Sequence, residues 1–579
     1  MHILGVSCFY HDAAACLVSD GRIVAAASEE SFTRKKHDSG FPRNAIEFAL
    51  REGGIGVKDV SAVVYYDKPM RKFDRVVRSH LVNFPKGIRA FIRKMPHVVS
   101  TELRIPKVLK DELGYTGPVL YSEHHLSHAA SAFYCSGWEE ASILTVDGVG
   151  EWTTSSWGVG RGGKIELMGE TRFPHSLGLL YSAFTFYLGF KVNSAEYKVM
   201  GLAPYGQPLH VDKIKEMIHV ADDGSFRLDM RFFEFDKGER MFNEAFEAHM
   251  GRPTRPLEGN PPLEQWHKDV ARSLQAVVDE VMVKLATHIV KTTGVPRLCL
   301  AGGVALNCVA NGEILRRAPV EDIFVQPAAG DAGGAMGAAL LAWNGLLNKP
   351  RLPRLESAYL GPDYDEAAIR AVLDRYGAVY TRHEREPLLE ATVDQITDGK
   401  VVGWFQGRME WGPRALGHRT ILGDPRHPDM RTIINMKIKF REGFRPFAPS
   451  VLEEKVSEWF EIDRPSPYML LVAPVKPGKT PLPAITHVDN SARIQTINRD
   501  QDAMYYDLIS AFDRRTGVPV LINTSMNVRG EPMVCSPEDA YLCFMRTEMD
   551  VLVAGPFLMR KPDQPKLALK SASEEFGLD

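Results

Sequence analysis

Near the N-terminus the apolar residues fall into short runs of strand length at 3–8, 13–18 and 23–27, and Ser19-Asp20-Gly21 supplies a hairpin turn between the last two. The pattern predicts an antiparallel meander. It returns at 142–146, 155–159 and 165–168, with Asp147-Gly148 after the first strand and Gly162-Gly163 at the second turn. A pattern repeated in this way predicts two related halves of one domain.

From 270 to 289 the apolar positions change to helical spacing with few breakers, which predicts a long helix. Residues 297–301 then read as a buried strand running into Gly302-Gly303 and a helix over 306–317. A strand at 323–325, another glycine-rich turn and a helix over 334–347 follow. Pro350, Pro353 and Pro362 break the periodicity of 348–362 and mark a linker there. Beyond it, 401–406 and 519–522 read as strands and 367–376 and 388–397 as helices, so a second mixed α/β domain is expected, with a polar end from Lys570.

Composition narrows the class. The 579 residues are 44% hydrophobic and 25% charged, which is ordinary for globular proteins and gives length for more than one core. With 70 lysines and arginines against 73 acidic residues the net charge is -3, so there is no global bias toward nucleic acid or anionic membrane, and any anion site is local. The seven cysteines are scattered, odd in number and without a Cys-x-x-Cys pair, which argues against a disulfide framework or zinc cluster and points to a reducing cytoplasm. The first apolar run lacks a basic flank and meets His11-Asp12 too early for a signal peptide. No uncharged apolar stretch reaches membrane-spanning length, so a soluble protein is expected.

Several groups could carry chemistry. His124 and His128 are four apart, hence on one face of a helix, where two imidazoles can bind one cation; a hydrogen-bonded histidine cluster is the alternative. Asp147 before Gly148, and Asp331 within Gly330-Asp-Ala-Gly-Gly334, could complete a mixed nitrogen and oxygen site or act as turn formers and helix caps. Gly302-Gly303 at a strand-to-helix turn suits a nucleotide lying across a helix N-terminus, with close packing the alternative. These turns and the two meanders together resemble the actin, sugar-kinase and heat-shock ATPase fold. In the second domain Arg408, Arg414, Arg419, Arg426, Arg431, Lys437, Lys439, Arg441 and Arg445 crowd one segment beside Trp411-Gly412-Pro413. They can hold phosphates or form a solvated basic face. Asn523-Thr524-Ser525 sits at a strand end, as a ligand site or a turn.

The motifs Tyr10-His-Asp-Ala-Ala14, Phe32-Thr-Arg-Lys-Lys-His37, His124-His-Leu-Ser-His-Ala-Ala130, Glu196-Tyr-Lys-Val-Met-Gly-Leu-Ala-Pro-Tyr-Gly206, Gly412-Pro-Arg-Ala-Leu-Gly417, Phe444-Arg-Pro-Phe-Ala-Pro449 and Asn523-Thr-Ser-Met-Asn-Val-Arg-Gly-Glu-Pro532 run nearly end to end. Through them the chain resembles the NodU/CmcH-type carbamoyltransferases, which modify antibiotics, nodulation factors and other secondary metabolites. The resemblance implies an actin-like, threonylcarbamoyltransferase-like duplicated domain over 1–350, a linker region over 351–385 and a YrdC-like domain over 386–579. It implies that the second domain makes carbamoyl-AMP from carbamoyl phosphate and ATP, and that the first passes the carbamoyl group to a small-molecule hydroxyl, with no nucleic acid or membrane partner and a homodimer as one assembly.

Residue by residue, the resemblance implies carbamoyl phosphate and adenylate contacts at Arg414, Lys439, Arg445, Arg493, Asn523 and Ser525. It implies metal ligands at His124, His128 and Asp331, with iron(II) favoured there and magnesium accompanying ATP. Asp147, Gly148, Gly302, Gly303 and Asn307 fall by the nucleotide and its phosphates, and His11 and Lys36 by the transferred carbamoyl, where the His11 imidazole could take the acceptor proton. Tyr197, His418 and Met526 depart from the family pattern, where glycine, asparagine and phenylalanine are commoner. Threonylcarbamoyl transfer to tRNA and a non-catalytic nucleotide-binding scaffold are the rival readings; the acidic balance counts against the first, and His124, His128, Asp331 and Arg445 together count against the second.

Overall fold

The computed structural model describes residues 1–576 apart from Glu239, Asn260 and Leu352, so the last three residues of the polar end and one residue of the expected linker lie outside the described residues. The first meander is β1 (His2–Ser7), β2 (Ala14–Ser19) and β3 (Arg22–Ser28). With β4 (Val60–Tyr65) and β5 (Val119–Tyr121) it makes a sheet ordered β3-β2-β1-β4-β5. β1 and β2 are buried along almost their whole length, as strands covered on both faces must be.

The second meander is β6 (Glu140–Val146), β7 (Thr153–Arg161) and β8 (Lys164–Arg172). A small hairpin follows, β9 (Ile218–Val220) with β10 (Phe226–Leu228), and then β11 (Arg297–Ala301) and β12 (Asp322–Val325). The second sheet is ordered β12-β11-β6-β7-β8, which read backwards is the order of the first. The directions match too. In each sheet the first strand runs antiparallel to the second and parallel to the fourth, and the fourth parallel to the fifth. The expected duplication is therefore present strand for strand.

Each half sends a helix from its fifth strand, His124–Ser136 after β5 and Asp331–Leu340 after β12. Glycines permit close packing here: a Cβ at Gly337 would collide with the Ser127 carbonyl oxygen between the two helices, and one at Gly5 of β1 with that of Ala335. The long helix is Gln265–Thr293, extending the predicted stretch at both ends. The helix expected from 306 begins instead at Cys308, because the Asn307 side chain accepts the Ala310 N–H and caps it there. The helix expected over 334–347 starts earlier, at Asp331, and widens into a π-turn over Leu341–Leu346.

Chain contacts divide the molecule into one unit of Met1–Glu29 with His37–Leu355 and a second of Glu30–Lys36 with the chain from Glu356 onward. The second unit is a nine-stranded sheet ordered β13-β21-β20-β14-β15-β19-β16-β18-β17. Its strands are β13 (Thr381–Arg382), β14 (Val402–Phe405), β15 (Arg419–Gly423), β16 (Ala448–Leu452), β17 (Leu471–Pro474), β18 (Ser491–Ile497), β19 (Val520–Ser525), β20 (Val551–Ala554) and β21 (Phe557–Arg560).

Two features differ from the sequence reading. Much of 351–385, read as linker, is built into the second unit: Ile369 and Leu373 of the helix Glu366–Arg375 enter its core, and β13 pairs with β21. The proline-bearing stretch before them is tied down by backbone bonds, with Trp411 N–H on the Ala358 carbonyl and Met409 N–H on that of Pro362. The other feature is the strap Glu30–Lys36. Phe32 packs against Met409, Ala415, Met533 and Cys535, and Arg34 donates to the carbonyls of Met533 (2.7 Å) and Pro532 (3.0 Å) and to Glu531 Oε1 (3.0 Å).

Candidate active site

Two helix starts and one strand end assemble the first cluster. His124 opens its helix with His128 one turn on, Asp331 opens the helix of the other half, and Asp147 follows β6 directly. All four are buried, and one ligand-type atom of each lies within 4.8 Å of those of the others. His124 Nε2 is 3.0 Å from His128 Nε2 and 2.9 Å from Asp147 Oδ2. Asp331 Oδ1 lies 3.7 and 3.8 Å from the same two nitrogens, and its Oδ2 is buried with no hydrogen-bond partner among the described residues. Two imidazole nitrogens pointed at each other, two carboxylates and an orphaned oxygen fit a borderline divalent cation.

The electrostatics agree with crowding around one point. Burial alone would lower His124, but the Asp147 hydrogen bond and the charges of Asp331 and Asp147 outweigh it and push it up to about 9. Asp147 is driven well below the usual carboxylate range, because the His124 and His128 hydrogen bonds overcome its burial. Burial and the Asp147 charge push Asp331 up. Outside the cluster, Glu151 accepts the His124 N–H (3.0 Å) and the Lys68 N–H (2.9 Å), holding the helix start, and a Cβ at Gly150 would press on the His124 ring.

The turns expected to meet a nucleotide adjoin this cluster. Gly303 N–H donates to Asp147 Oδ1 at 2.9 Å, and Gly302 has φ +91, where a Cβ would strike the Val146 carbonyl. A Cβ at Gly148 would meet nothing within 4 Å. Asn307, expected beside the nucleotide, caps its helix and exchanges 3.1 Å bonds with Gln275.

His11 lies in the loop after β1. Its Nδ1 is 2.9 Å from Asp12 Oδ2 and its Nε2 is 2.8 Å from the Asn193 carbonyl oxygen. Neither partner can donate, so both ring nitrogens carry protons. Against its burial, the Asp12 hydrogen bond and charge push His11 up to about 10. An imidazolium cannot accept a proton, so the role expected for His11 as proton acceptor does not fit its surroundings. Lys36 ends the strap of the second unit.

In the second unit Lys439 is buried and its ammonium donates to the Ser525 carbonyl, to Ser525 Oγ (3.3 Å) and to Asn527 Oδ1 (2.7 Å). Burial pushes Lys439 well down, and the Arg441 and Arg445 charges add to it. Arg493 and Gln495 alternate on β18, and Gln495 reaches Asn523 Nδ2 at 2.7 Å, so Arg493, Asn523 and Ser525 share one face of the sheet. Asn523 itself is spent: its amide also donates to the Ala415 carbonyl and Ser450 Oγ and accepts from Thr420 Oγ1, each at 3.1 Å. It props the Arg414-Ala415 turn and leaves no donor for a phosphate, which corrects its expected contact role.

Other members of the arginine-rich segment are likewise structural. Arg408 donates to the Gly361 (3.1 Å) and Leu360 (2.9 Å) carbonyls. Arg419 is fully buried over the Phe405 ring and donates to the carbonyls of Gln406, His418 and Pro362. His418 stacks on Tyr359 at 3.7 Å and bridges the Arg408 carbonyl and Asp502. Asp12, His37, Glu151, Asn527 and Glu531 join these sites without a spacing or motif of their own to mark them. Asp12, His37, Asn527 and Glu531 lie inside the motifs already quoted, so the signal was there without a reason to rank them.

The family described as Carbamoyltransferase N-terminus matches residues 2–340, and Carbamoyltransferase C-terminus matches 393–561. The chain is 49% identical to "Uncharacterized protein sll1178" of Synechocystis over the whole of both chains. It is 39% identical to "Nodulation protein NolNO" of Sinorhizobium fredii over 96% of this chain and 79% of that one. It is 41% identical to "Nodulation protein NolO" of Bradyrhizobium diazoefficiens over 76% and 78%.

Proposed function

The chain belongs to the carbamoyltransferase family, and from that premise we propose that it makes carbamoyl-AMP from carbamoyl phosphate and ATP and transfers the carbamoyl group to a hydroxyl of a small molecule in the cytoplasm. Atom balance shapes the first half. Water opens the carbamoyl–phosphate bond and releases phosphate, a carbamate oxygen then attacks the α-phosphorus of ATP, and pyrophosphate leaves. In the second half the acceptor oxygen attacks the carbamoyl carbon and AMP leaves.

The observation that carries the reading is the buried Lys439 ammonium, held beneath Ser525 and Asn527 with the Arg441 and Arg445 charges acting on it. Burial and like charge disfavour this cation, and an anion beside it relieves both. The three N–H bonds of Lys439 are taken by oxygens of Ser525 and Asn527, so direct phosphate contacts fall to the neighbouring arginines, fixed cationic donors that stabilise charge developing on phosphate oxygens. In the first unit His124, His128, Asp147 and Asp331 would hold a divalent ion, iron(II) being favoured, and magnesium would accompany ATP. Such an ion supplies Lewis-acid polarisation of a phosphate or carbamoyl oxygen. The seven buried thiols, none in a disulfide, fit a reducing compartment.

The test is mass spectrometry of the full chain mixed with ATP, magnesium and carbamoyl phosphate, without acceptor. Carbamoyl-AMP, phosphate and pyrophosphate are expected, and Arg445→Ala should cut their formation by about 100-fold or more. ADP with phosphate would instead indicate kinase-like chemistry and end the proposal.

A further inference from the structure

The geometry points to His37, held by the Asp12 carboxylate, as the imidazole that takes the proton of the acceptor hydroxyl, with His11 a standing cation on the other side of the same carboxylate. This rests on the carbamoyl-transfer reading above and assigns within it the base that His11 cannot supply.

Asp12 is bidentate between two rings. Oδ2 meets His11 Nδ1 and Oδ1 meets His37 Nδ1, each at 2.9 Å, and the rings lie 4.7 Å apart. The far nitrogens differ. His11 Nε2 faces a backbone carbonyl, which only accepts, whereas His37 Nε2 faces Ser194 Oγ at 3.2 Å, a hydroxyl that can donate. The carboxylate on Nδ1 fixes a proton there, and the hydroxyl on Nε2, unlike the carbonyl facing His11, is able to donate, so the pair admits the Nδ1-protonated tautomer with its Nε2 lone pair directed at a hydroxyl. Carboxylate, imidazole and hydroxyl in this order form the arrangement by which an alcohol is activated as a nucleophile.

The backbone is held in an unfavourable form to achieve this. Phe9 (φ 68), Asp12 (φ 27), His37 (φ 57) and Asn193 (φ 61) are all non-glycine residues with positive φ. Such residues cluster where the surroundings fix a functional conformation. Two backbone bonds close the loop, Phe9 N–H to the Ser39 carbonyl (2.7 Å) and Ala13 N–H to that of Asp38 (2.8 Å). The side chains of Asp12 and His37 are 28% exposed, enough for a ligand to reach the pair.

In the step itself the acceptor oxygen forms its bond to the carbamoyl carbon, the bond from that carbon to the AMP phosphate oxygen breaks, and AMP leaves with the electron pair. The hydroxyl proton passes to His37 Nε2, directly or through Ser194, and then to solvent. Asp12 is a positioning residue: it fixes the ring and stabilises the imidazolium that forms.

The experiment pairs two readouts on the full chain. Nitrogen-15 NMR of histidine-labelled protein at pH 7.5, assigned with His11→Gln and His37→Gln, should show His37 protonated on Nδ1 alone and His11 on both nitrogens. A doubly protonated His37, or a neutral His11, overturns the proposal. Transfer is followed as AMP release and carbamoyl-glycerol mass, with carbamoyl-AMP formed in situ and glycerol as hydroxyl probe. His37→Ala should lose about 100-fold or more, and free imidazole should restore about a tenth of the loss or better. A His37→Ala enzyme that transfers normally, or is not restored, overturns the assignment. If wild-type protein forms no carbamoyl-AMP, the activation reading fails, while the proton positions still decide between the two histidines.

Discussion

The two candidate sites are built from buried groups of opposite character. In the first unit two imidazoles and two carboxylates converge within 4.8 Å, a donor set that suits a divalent cation. In the second unit Lys439 is buried with the Arg441 and Arg445 charges acting on it, surroundings that suit an anion. The first set mixes imidazoles with carboxylates that bond to one another, whereas the second gathers cations of one sign, which is costly without a counter-ion. One chain thus carries a site suited to a metal and a site suited to phosphates.

Removal of one donor from the first cluster has the largest consequence. His128→Ala takes one of the two facing nitrogens from the first cluster. Loss of groups merely supporting a metal ligand costs 10- to 100-fold in affinity, so loss of the ligand itself should exceed about 100-fold. Metal content after dialysis, read by elemental mass spectrometry, should fall from near stoichiometric to background. Unchanged content would make the cluster a hydrogen-bonded histidine network and remove the cation half of the contrast.

A buried carboxyl beyond the cluster tests whether the first unit holds unmatched acid more widely. Burial pushes Asp279 up to about 7 despite the Gln275 amide at 2.7 Å. The sign follows from that upward shift: folded protein holds this proton between about pH 4 and 7 where unfolded chain has released it, so the stabilisation is complete below pH 4 and lost as pH rises to 7. At 1.4 kcal/mol for each unit, the upper limit is about 4 kcal/mol. Denaturant unfolding of Asp279→Asn should show a flatter dependence over this window and a gain at pH 8. An unaltered slope would show that Asp279 is not the titrating group.

The units also differ in how legible they were. Strand β11 (Arg297–Ala301) coincides with its predicted bounds, and the first meander agrees to within a residue or so, because short buried strands between glycine turns are a local signal. The four-residue spacing of His124 and His128 was equally local, and adding Asp147 and Asp331 needed only that both end up beside the same helix start. The strap Glu30–Lys36 was illegible because what holds Arg34 lies about 500 residues away, in Glu531–Met533. In the arginine-rich segment the density was plain and the allocation hidden, since the carbonyls that occupy Arg408 and Arg419 have no side-chain signature in a sequence. His37 was passed over for a related reason: its partner Ser194 is distant in the chain, and the tautomer follows only from what faces each nitrogen.

Arg419→Ala sharpens this distinction between abundance and role. The change leaves the Gln406, His418 and Pro362 carbonyls without their guanidinium donor and empties the space over Phe405. A loss of about 3 kcal/mol in unfolding free energy is expected, with carbamoyl-AMP formation per folded molecule far less affected than in Arg445→Ala. A stable Arg419→Ala protein with the activity defect would reverse the two assignments.

Lys437 stands two residues before Lys439 and is indistinguishable from it by residue type. Yet its side chain is 55% exposed and pairs at 3.3 Å with a Glu548 that is 66% exposed. A pair so open to water contributes below about 1 kcal/mol and is screened by salt. Lys437→Ala should therefore change the unfolding free energy by about 0.5 kcal/mol or less and leave carbamoyl-AMP formation as it was, whereas Lys439→Ala strips the ammonium from Ser525 and Asn527. Equal defects in the two variants would mean that the anion site draws on the charge of the whole segment rather than on the buried group, and the contrast between a built cation site and a built anion site would fail on the anion side.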